Sequence, residues 1–348
     1  MIYSKEKLDD IAIHFVLCTE RTGSSLFSMM LNLHSEILSP SEEPFALYFW
    51  RKYRHKTEWS EKDISSYVDQ FFAIAEKNLD LYFSKKEVFL KSLLHHREFL
   101  NYNRIVKLTY LHFLDTKSKS QVSVIVDKQI KYFFHLKSLR KIFPDARYII
   151  LVRDVRDNII SKQKRALNWN QHPLFLAGLW RDTYSNMRFI REQDRCVIQY
   201  EQLITDTRSS LIKTCSFLGV KFDEKMLKTD GVYASFLEQK EGDVDADFLH
   251  RLRSFHSGLS DDISDSKIGQ YKMVLEESTL LKVEQICGEW LRSLGYPAHV
   301  SKKVKGLSAI YYTGLAKLYR KYLLAAYKPI PLGMKLFVKR RKNSSKSV

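Results

Sequence analysis

Ile11-Ala12-Ile13-His14-Phe15-Val16-Leu17-Cys18 is an apolar run rich in β-branched and aromatic residues, and Thr19-Glu20-Arg21-Thr22-Gly23-Ser24-Ser25-Leu26 follows it directly. The first segment reads as a buried strand. The second reads as a polar turn opening a helix, because Leu26, Phe27, Met29, Met30, Leu31 and Leu33 crowd both sides of what comes next. A loop entering a helix N-terminus offers unpaired backbone N–H groups and the positive end of the helix dipole, so it holds an anion readily. Gly23 allows close backbone approach, Thr22, Ser24 and Ser25 add hydroxyls, and Arg21 adds charge. The loop is not of the Walker type, since no Lys precedes the serine pair. Taken alone, the same residues also make an ordinary polar helix cap.

Further strands are predicted at Val88–Leu90, Val122–Val126, Tyr148–Val152 and Cys196–Gln199, separated by helical stretches, with residues 45–110 mostly helical. This alternation predicts a central parallel sheet covered by helices on both faces, and ligands of such sheets bind at the carboxyl ends of the strands. At the end of the strand Tyr148–Val152 stand Arg153, Asp154, Arg156 and Asp157, with Ser161 eight residues beyond Arg153. A guanidinium there can chelate a phosphate while a hydroxyl of the next helix adds a donor. An Arg–Asp salt-bridge lattice around Asp154 and Asp157 is the competing use of the same charges.

Of 348 residues, 57 are Lys or Arg and 40 are Asp or Glu, a net charge of +17. The charge is unevenly placed. From Ser301 to Val348 there are 13 basic residues and no acidic one, which leaves the preceding 300 residues at only +4. The chain therefore divides into an α/β body, residues 1–300, and a basic extension, 301–348. Within the extension, Gly306–Tyr327 reads as an amphipathic helix with Lys317, Arg320 and Lys321, and Val338–Lys342 is a compact cationic cluster. Attachment to an anionic membrane surface is one expectation for it, and a helix packed on the body is the other. No nucleic-acid partner is expected, because no reading motif accompanies the charges. The polar stretch Glu238–Asp265 is expected to be a mobile loop or lid.

Cys18, Cys196, Cys215 and Cys287 show no metal-like spacing and read as reduced thiols, and the polar N-terminus does not read as a secretory signal. A cytoplasmic enzyme, peripheral at the inner membrane surface, is the expected setting. His34, His95, His96 and His135 have no spacing that singles one out, and ordinary packing or surface roles are expected for them.

Taken together, Arg21 to Leu26 and the segment Leu151 to Asp157 with Ser161 resemble the two phosphate motifs of the 3′-phosphoadenosine 5′-phosphosulfate (PAPS)-dependent sulfotransferases, above all the carbohydrate and tyrosylprotein branches and their bacterial relatives. Phe143–Ala146, Tyr200–Ile204, Phe217–Val220, Ile268–Lys272 and Leu294–Pro297 are similar to family segments in the same order, so the resemblance spans about Ile11 to Pro297. Val155 stands where Pro is common, and Gln270-Tyr271 where Arg-Trp or Asp-Trp is usual.

The resemblance implies a three-layer P-loop-like α/β fold. It implies PAPS as co-substrate, held by Arg21, Thr22, Gly23, Ser24, Ser25, Arg153, Ser161 and Tyr200, the last against the adenine. It implies sulfuryl transfer to an acceptor hydroxyl, of a carbohydrate or glycolipid before a protein tyrosine. A metal is not expected, because the transferred group carries less charge than a phosphoryl group. Such a reaction needs a base for the acceptor proton and a cation at the leaving oxygen. Glu42 and Glu43 are the candidate bases, and Arg21 and Lys128 the candidate cations; Lys128 can equally serve as a surface partner of Asp127. A nucleotide-dependent kinase and a non-catalytic PAP- or anion-binding membrane adaptor are the alternatives.

Overall fold

The structure is a computed structural model that describes residues 2–74, 82–113, 119, 121–130, 132–165, 170–229, 231–232, 238, 264–297 and 307–327. The predicted loop Glu238–Asp265, apart from its ends, and the cluster Val338–Lys342 lie outside the described residues.

Five strands, β1 (Ala12–Leu17), β2 (Ile37–Leu38), β3 (Val124–Lys128), β4 (Tyr148–Val152) and β5 (Arg195–Gln199), form one parallel sheet in the order β2-β3-β1-β4-β5. Side chains on a strand alternate between faces; both faces of the inner strands β1, β3 and β4 are buried, while the edge strand β5 alternates half-buried and buried positions. Ile13, Phe15 and Leu17 enter one core, and Val16 and Cys18 enter the other. From β1 the chain goes to the edge strand β2, returns to β3 between them, and then adds β4 and β5 on the other side. The switch point falls where β1 meets β4, which is where ligands of open α/β sheets bind.

Around the sheet run α1 (Ser24–Asn32), α2 (Glu61–Ile74), α3 (Lys86–His95), α4 (Tyr102–Leu111), α5 (Leu136–Ile142), α6 (Val155–Gln163), α7 (Pro173–Tyr184), α8 (Thr207–Leu218), α9 (Glu277–Ser293) and α10 (Leu307–Tyr327). α1 and α8 cover one face through Phe27, Met30, Leu31, Leu211 and Leu218. α2 to α5, α7 and α9 cover the other. The result is the three-layer α/β arrangement expected from the alternating pattern, with a polar loop leading from β1 into a helix.

Two strand assignments differ from the sequence reading. Val88–Leu90 lies inside α3, where Phe89 and Leu93 are buried one turn apart and Val88 is 53% exposed. A short apolar run is ambiguous by periodicity alone, and burial of only one side selects the helix. The edge strand β2 is two residues long, too short to leave a pattern.

α10 is docked on the body. Tyr312, Leu315 and Tyr319 pack against the core and Ala316 is fully buried, with Tyr312 stacked on His172 at 4.7 Å and Tyr319 edge-on to Phe175 at 5.6 Å. Arg320 pairs with the buried Asp182 at 3.0 Å, and Arg181 donates to the Thr313 hydroxyl at 3.1 Å. Gly178 of α7 makes the crossing possible. A Cβ there would lie 2.8 Å from the Tyr312 carbonyl oxygen and 3.0 Å from the Ala316 Cβ. Among the described residues, no helix is long and apolar enough to cross a membrane. Gly178→Val is expected to cost about 1–3 kcal/mol by overpacking this crossing. A thermal melt should show the midpoint lowered by several degrees, and an unchanged midpoint would contradict the docking.

Candidate active site

The predicted phosphate residues come together at the carboxyl ends of β1 and β4. After β1, Arg21 adopts a left-handed backbone conformation (φ 65°), as does Gly23 at the N-cap of α1 (φ 79°). A left-handed conformation is natural for glycine and strained for arginine. At Gly23 the space is also closed, since a Cβ would meet the Tyr200 ring at 2.5 Å. The Arg21 Nε donates to the Ser161 hydroxyl at 3.2 Å, so the two predicted motifs are in direct contact although 140 residues apart. Ser24 and Ser25 open α1, as its first two residues. The Thr22 side chain is turned inward, fully buried, and its hydroxyl donates to the Thr19 carbonyl at 2.9 Å. Only its backbone remains to serve the loop.

Arg153 and Arg156 differ in how their charges are met: the foreseen salt-bridge lattice forms at Arg156. Arg156 is fully buried and chelates Asp154 (Nε to Oδ1, 2.9 Å; Nη2 to Oδ2, 2.6 Å) while Nη1 donates to Glu284 at 2.7 Å. Arg153 has no carboxylate partner among the described residues. Its Nη2 donates to the Lys267 carbonyl at 2.6 Å and Nη1 to the Arg21 carbonyl at 3.4 Å, and its buried Nε has no partner there. The guanidinium lies 4.6 Å from the Tyr200 ring centroid, and Trp180 holds the Arg153 carbonyl at 3.1 Å. A buried cation with unspent N–H donors has the capacity for an anion. Burial, together with the neighbouring charges of Arg165 and Arg153, holds the Arg21 guanidinium below the usual arginine range.

At the end of β3, Lys128 forms an ion pair with Glu42 and not with Asp127. Alternation along the strand turns Asp127 to the opposite face, where the Tyr110 hydroxyl donates to it at 2.6 Å and Gln129 at 3.0 Å. The Lys128–Glu42 pair sits beside the root of the β1 loop: Cys18 there, its thiol raised to about 11 chiefly by burial, feels both charges. Glu43 is buried and accepts from the Tyr82 hydroxyl at 3.4 Å. His34 bonds the Lys221 carbonyl at 2.7 Å and accepts from Glu36 N–H at 3.0 Å, while His96 bonds Tyr3 and Ser92, both packing roles.

Two residues not singled out in the sequence, Asn158 and Lys162, support the site, and Asp157, foreseen only as a member of a salt-bridge lattice, does so through backbone groups. Asn158 is buried and its amide donates to the carbonyls of Glu20 (2.9 Å) and Arg21 (3.3 Å). Lys162 pairs with Glu20 at 3.5 Å. Asp157 accepts from the backbone N–H of Gly269 (2.6 Å) and Tyr271 (3.0 Å), which fastens the segment Ile268–Lys272 to α6. The available signal was the polar stripe Asn158, Ser161, Lys162, Arg165 at helical spacing, one face of α6 turned to the β1 loop.

The profile of the sulfotransferase family matches residues 14–224, which include the β1 loop, Lys128 and Glu42, the segment from Arg153 to Ser161 and Tyr200. The chain belongs to the sulfotransferase family. A Caenorhabditis elegans protein named as a protein-tyrosine sulfotransferase is 21% identical over 174 residues, 48% of this chain and 63% of its own length. A Cavia porcellus 3-beta-hydroxysteroid sulfotransferase is 29% identical over 115 residues, 28% of this chain and 40% of its own. The chain thus spans less than two thirds of the length of these relatives. The sulfotransferase domain of a Synechococcus PCC 7002 olefin synthase superposes with a TM-score of 0.48 at 21% identity, covering 80% of this chain and 95% of that one.

Two outcomes follow from the geometry. Asn158→Ala removes the tie on a strained loop while touching no solvent-facing charge. It should weaken binding of 3′,5′-ADP (PAP) about tenfold by calorimetry, the worth of roughly one good buried hydrogen bond; unchanged affinity would show the loop holds itself. Burial raises the Asp127 carboxyl to about 6 from an ordinary 3.8. Its ionisation therefore opposes folding: the relative stabilisation is full below about pH 4 and lost as pH rises through about 6. Asp127→Asn should be more stable than the parent at pH 8, by on the order of 2–3 kcal/mol, with the gap closing towards pH 4 in denaturant titrations.

Proposed function

We propose that this protein transfers a sulfuryl group from PAPS to an acceptor hydroxyl, using Glu42 as base. The observation that carries the reading is the junction of the two anion loops. Arg21 after β1 touches Ser161 after β4, with Arg153 4.6 Å from the Tyr200 ring between them and the Lys128–Glu42 pair at the adjacent strand end. The residues suit a doubly phosphorylated nucleotide. The β1 loop with Ser24 and Ser25 at a helix N-terminus would take the phosphosulfate, Arg153 and Ser161 the 3′-phosphate, and Tyr200 the adenine face.

In the transfer, the acceptor oxygen forms a bond to sulfur as the bond from sulfur to the phosphate oxygen breaks. PAP and the sulfated acceptor leave, and the acceptor proton passes to a carboxylate. Glu42, part exposed and set at the strand ends, is the group we assign to that proton, and buried Glu43 the alternative. Lys128 and Arg21 would take up charge developing on the departing phosphate oxygen.

The acceptor we assign is a carbohydrate or glycolipid hydroxyl, following the resemblance of the two phosphate motifs to the carbohydrate branch of the family. The four cysteines are free and buried, which fits a reducing, cytoplasmic setting, and the basic extension fits the inner face of a membrane.

Arg153→Ala should weaken PAP binding by at least tenfold in calorimetry, as expected for losing a charge-assisted phosphate contact. Unchanged affinity would refute the assignment. Glu42→Gln should lower kcat for ³⁵S transfer by 10²-fold or more, with PAP binding intact. If Glu43→Gln does so instead, the base is Glu43. Label appearing in a tyrosine peptide and not in sugar or lipid fractions would move the acceptor to the class named for the Caenorhabditis elegans relative.

A further inference from the structure

α10 has two faces with different fates. One face is committed to the body through Tyr312, Leu315, Ala316, Tyr319 and Arg320. On the other, Leu307 (87%), Ile310 (61%), Tyr311 (63%), Leu318 (63%) and Tyr322 (68%) are exposed. At 100° per residue these five fall in one arc about 120° wide, opposite the docked face. Gly314 lies in the same arc, and a Cβ there would meet nothing. Lys321 lies within the arc and Lys317 just beyond its edge, both exposed. Scattered exposed apolar residues need no explanation, but a continuous stripe along a docked helix does.

We propose that this outward stripe of α10 is the surface by which the protein lies on an anionic lipid bilayer, the helix in the plane of the interface with its aromatic and aliphatic side chains among the acyl chains. The inference deepens the membrane placement in the proposed function and does not depend on the catalytic assignment. Charge chooses the occupant. Residues 301–348 carry 13 basic side chains and no acidic one, so a second copy seated on the stripe would bring like charges together. An anionic headgroup layer supplies the missing counter-charge, and lysine stems at the edge of an apolar stripe let the ammonium groups reach it. The body fixes the helix on its inner side, so the stripe is presented without first ordering a free peptide. An enzyme so held would draw its acceptor from the same surface, which points to a membrane-borne hydroxyl compound.

The test is flotation of the full chain with vesicles of phosphatidylcholine alone and of equal phosphatidylcholine and phosphatidylglycerol. The protein should float with the anionic vesicles only and be released by high salt. The triple substitution Leu307→Ser, Leu318→Ser, Tyr322→Ser should lower vesicle binding at least tenfold while leaving the melting midpoint and PAP affinity unchanged. Lys317→Glu with Lys321→Glu should lower it too, and supplies the answer if the triple variant fails to fold. Failure of the parent to float, or flotation of the folded triple variant equal to the parent, would overturn the proposal; the latter result assigns attachment to the basic residues alone. A concentration-dependent dimer abolished by the triple substitution, without flotation, would give the stripe to a second copy and also overturn it. Flotation retained in a Glu42→Gln variant that no longer transfers ³⁵S separates this inference from the catalytic one.

Discussion

The carboxyl edge of the sheet depends on the β1 loop being kept in a conformation that an arginine does not adopt unaided. Arg21 has φ 65°, a region that costs a residue with a Cβ on the order of 1 kcal/mol or more. The cost is met from the end of β4 and from α6. Asn158 takes the carbonyls of Glu20 and Arg21, Arg153 reaches the Arg21 carbonyl, and Lys162 holds the Glu20 carboxylate. Because α6 follows β4 directly, the ties also fix the spacing between the loop after β1 and the charged end of β4. Loop and helix form one unit, and the contact from Arg21 to Ser161 is its visible seam.

The same economy governs the charges of the segment Arg153 to Asp157. Arg156 points into the packing between α6 and α9, where an unpaired cation would be severely costly, and it is matched by Asp154 and Glu284. Arg153 stands at the strand end, is held by carbonyls and an aromatic face, and keeps donor capacity. Asp157 accepts from the Gly269 and Tyr271 N–H groups and so ties the family-like segment Ile268–Lys272 to the site. One short stretch thus supplies a fully paired cation, a cation with donor capacity to spare and an anchor for a distant loop.

The net charge of +17 has a narrower meaning than its size suggests. Most of it belongs to residues 301–348, whose described helix is neither a free tail nor an independent unit. Its inner face completes the layer begun by α7 and α9, through a crossing that only a glycine at position 178 permits. In the nearly balanced body, Arg21 and Arg153 lie together at the carboxyl ends of β1 and β4.

The apolar runs at β1, β3, β4 and β5, the polar loop before α1, the charged end of β4 and the span of α10 were all legible along the chain, because each is a local pattern of side chains whose period or turn chemistry belongs to a few consecutive residues. The two-residue strand β2 and the helical fate of Val88–Leu90 were not, since neither carries enough residues to show a period. Asn158 looked like any polar helix residue until the fold set it against a backbone 137 residues away. Lys128 had Asp127 as its neighbour in sequence and Glu42 as its partner in space, because strand alternation sends adjacent side chains to opposite faces. The sequence by itself determined which residue types stand at the strand ends. Only the tertiary structure decided which charges are cancelled and which stay available, because pairing depends on distances between elements that no local pattern encodes.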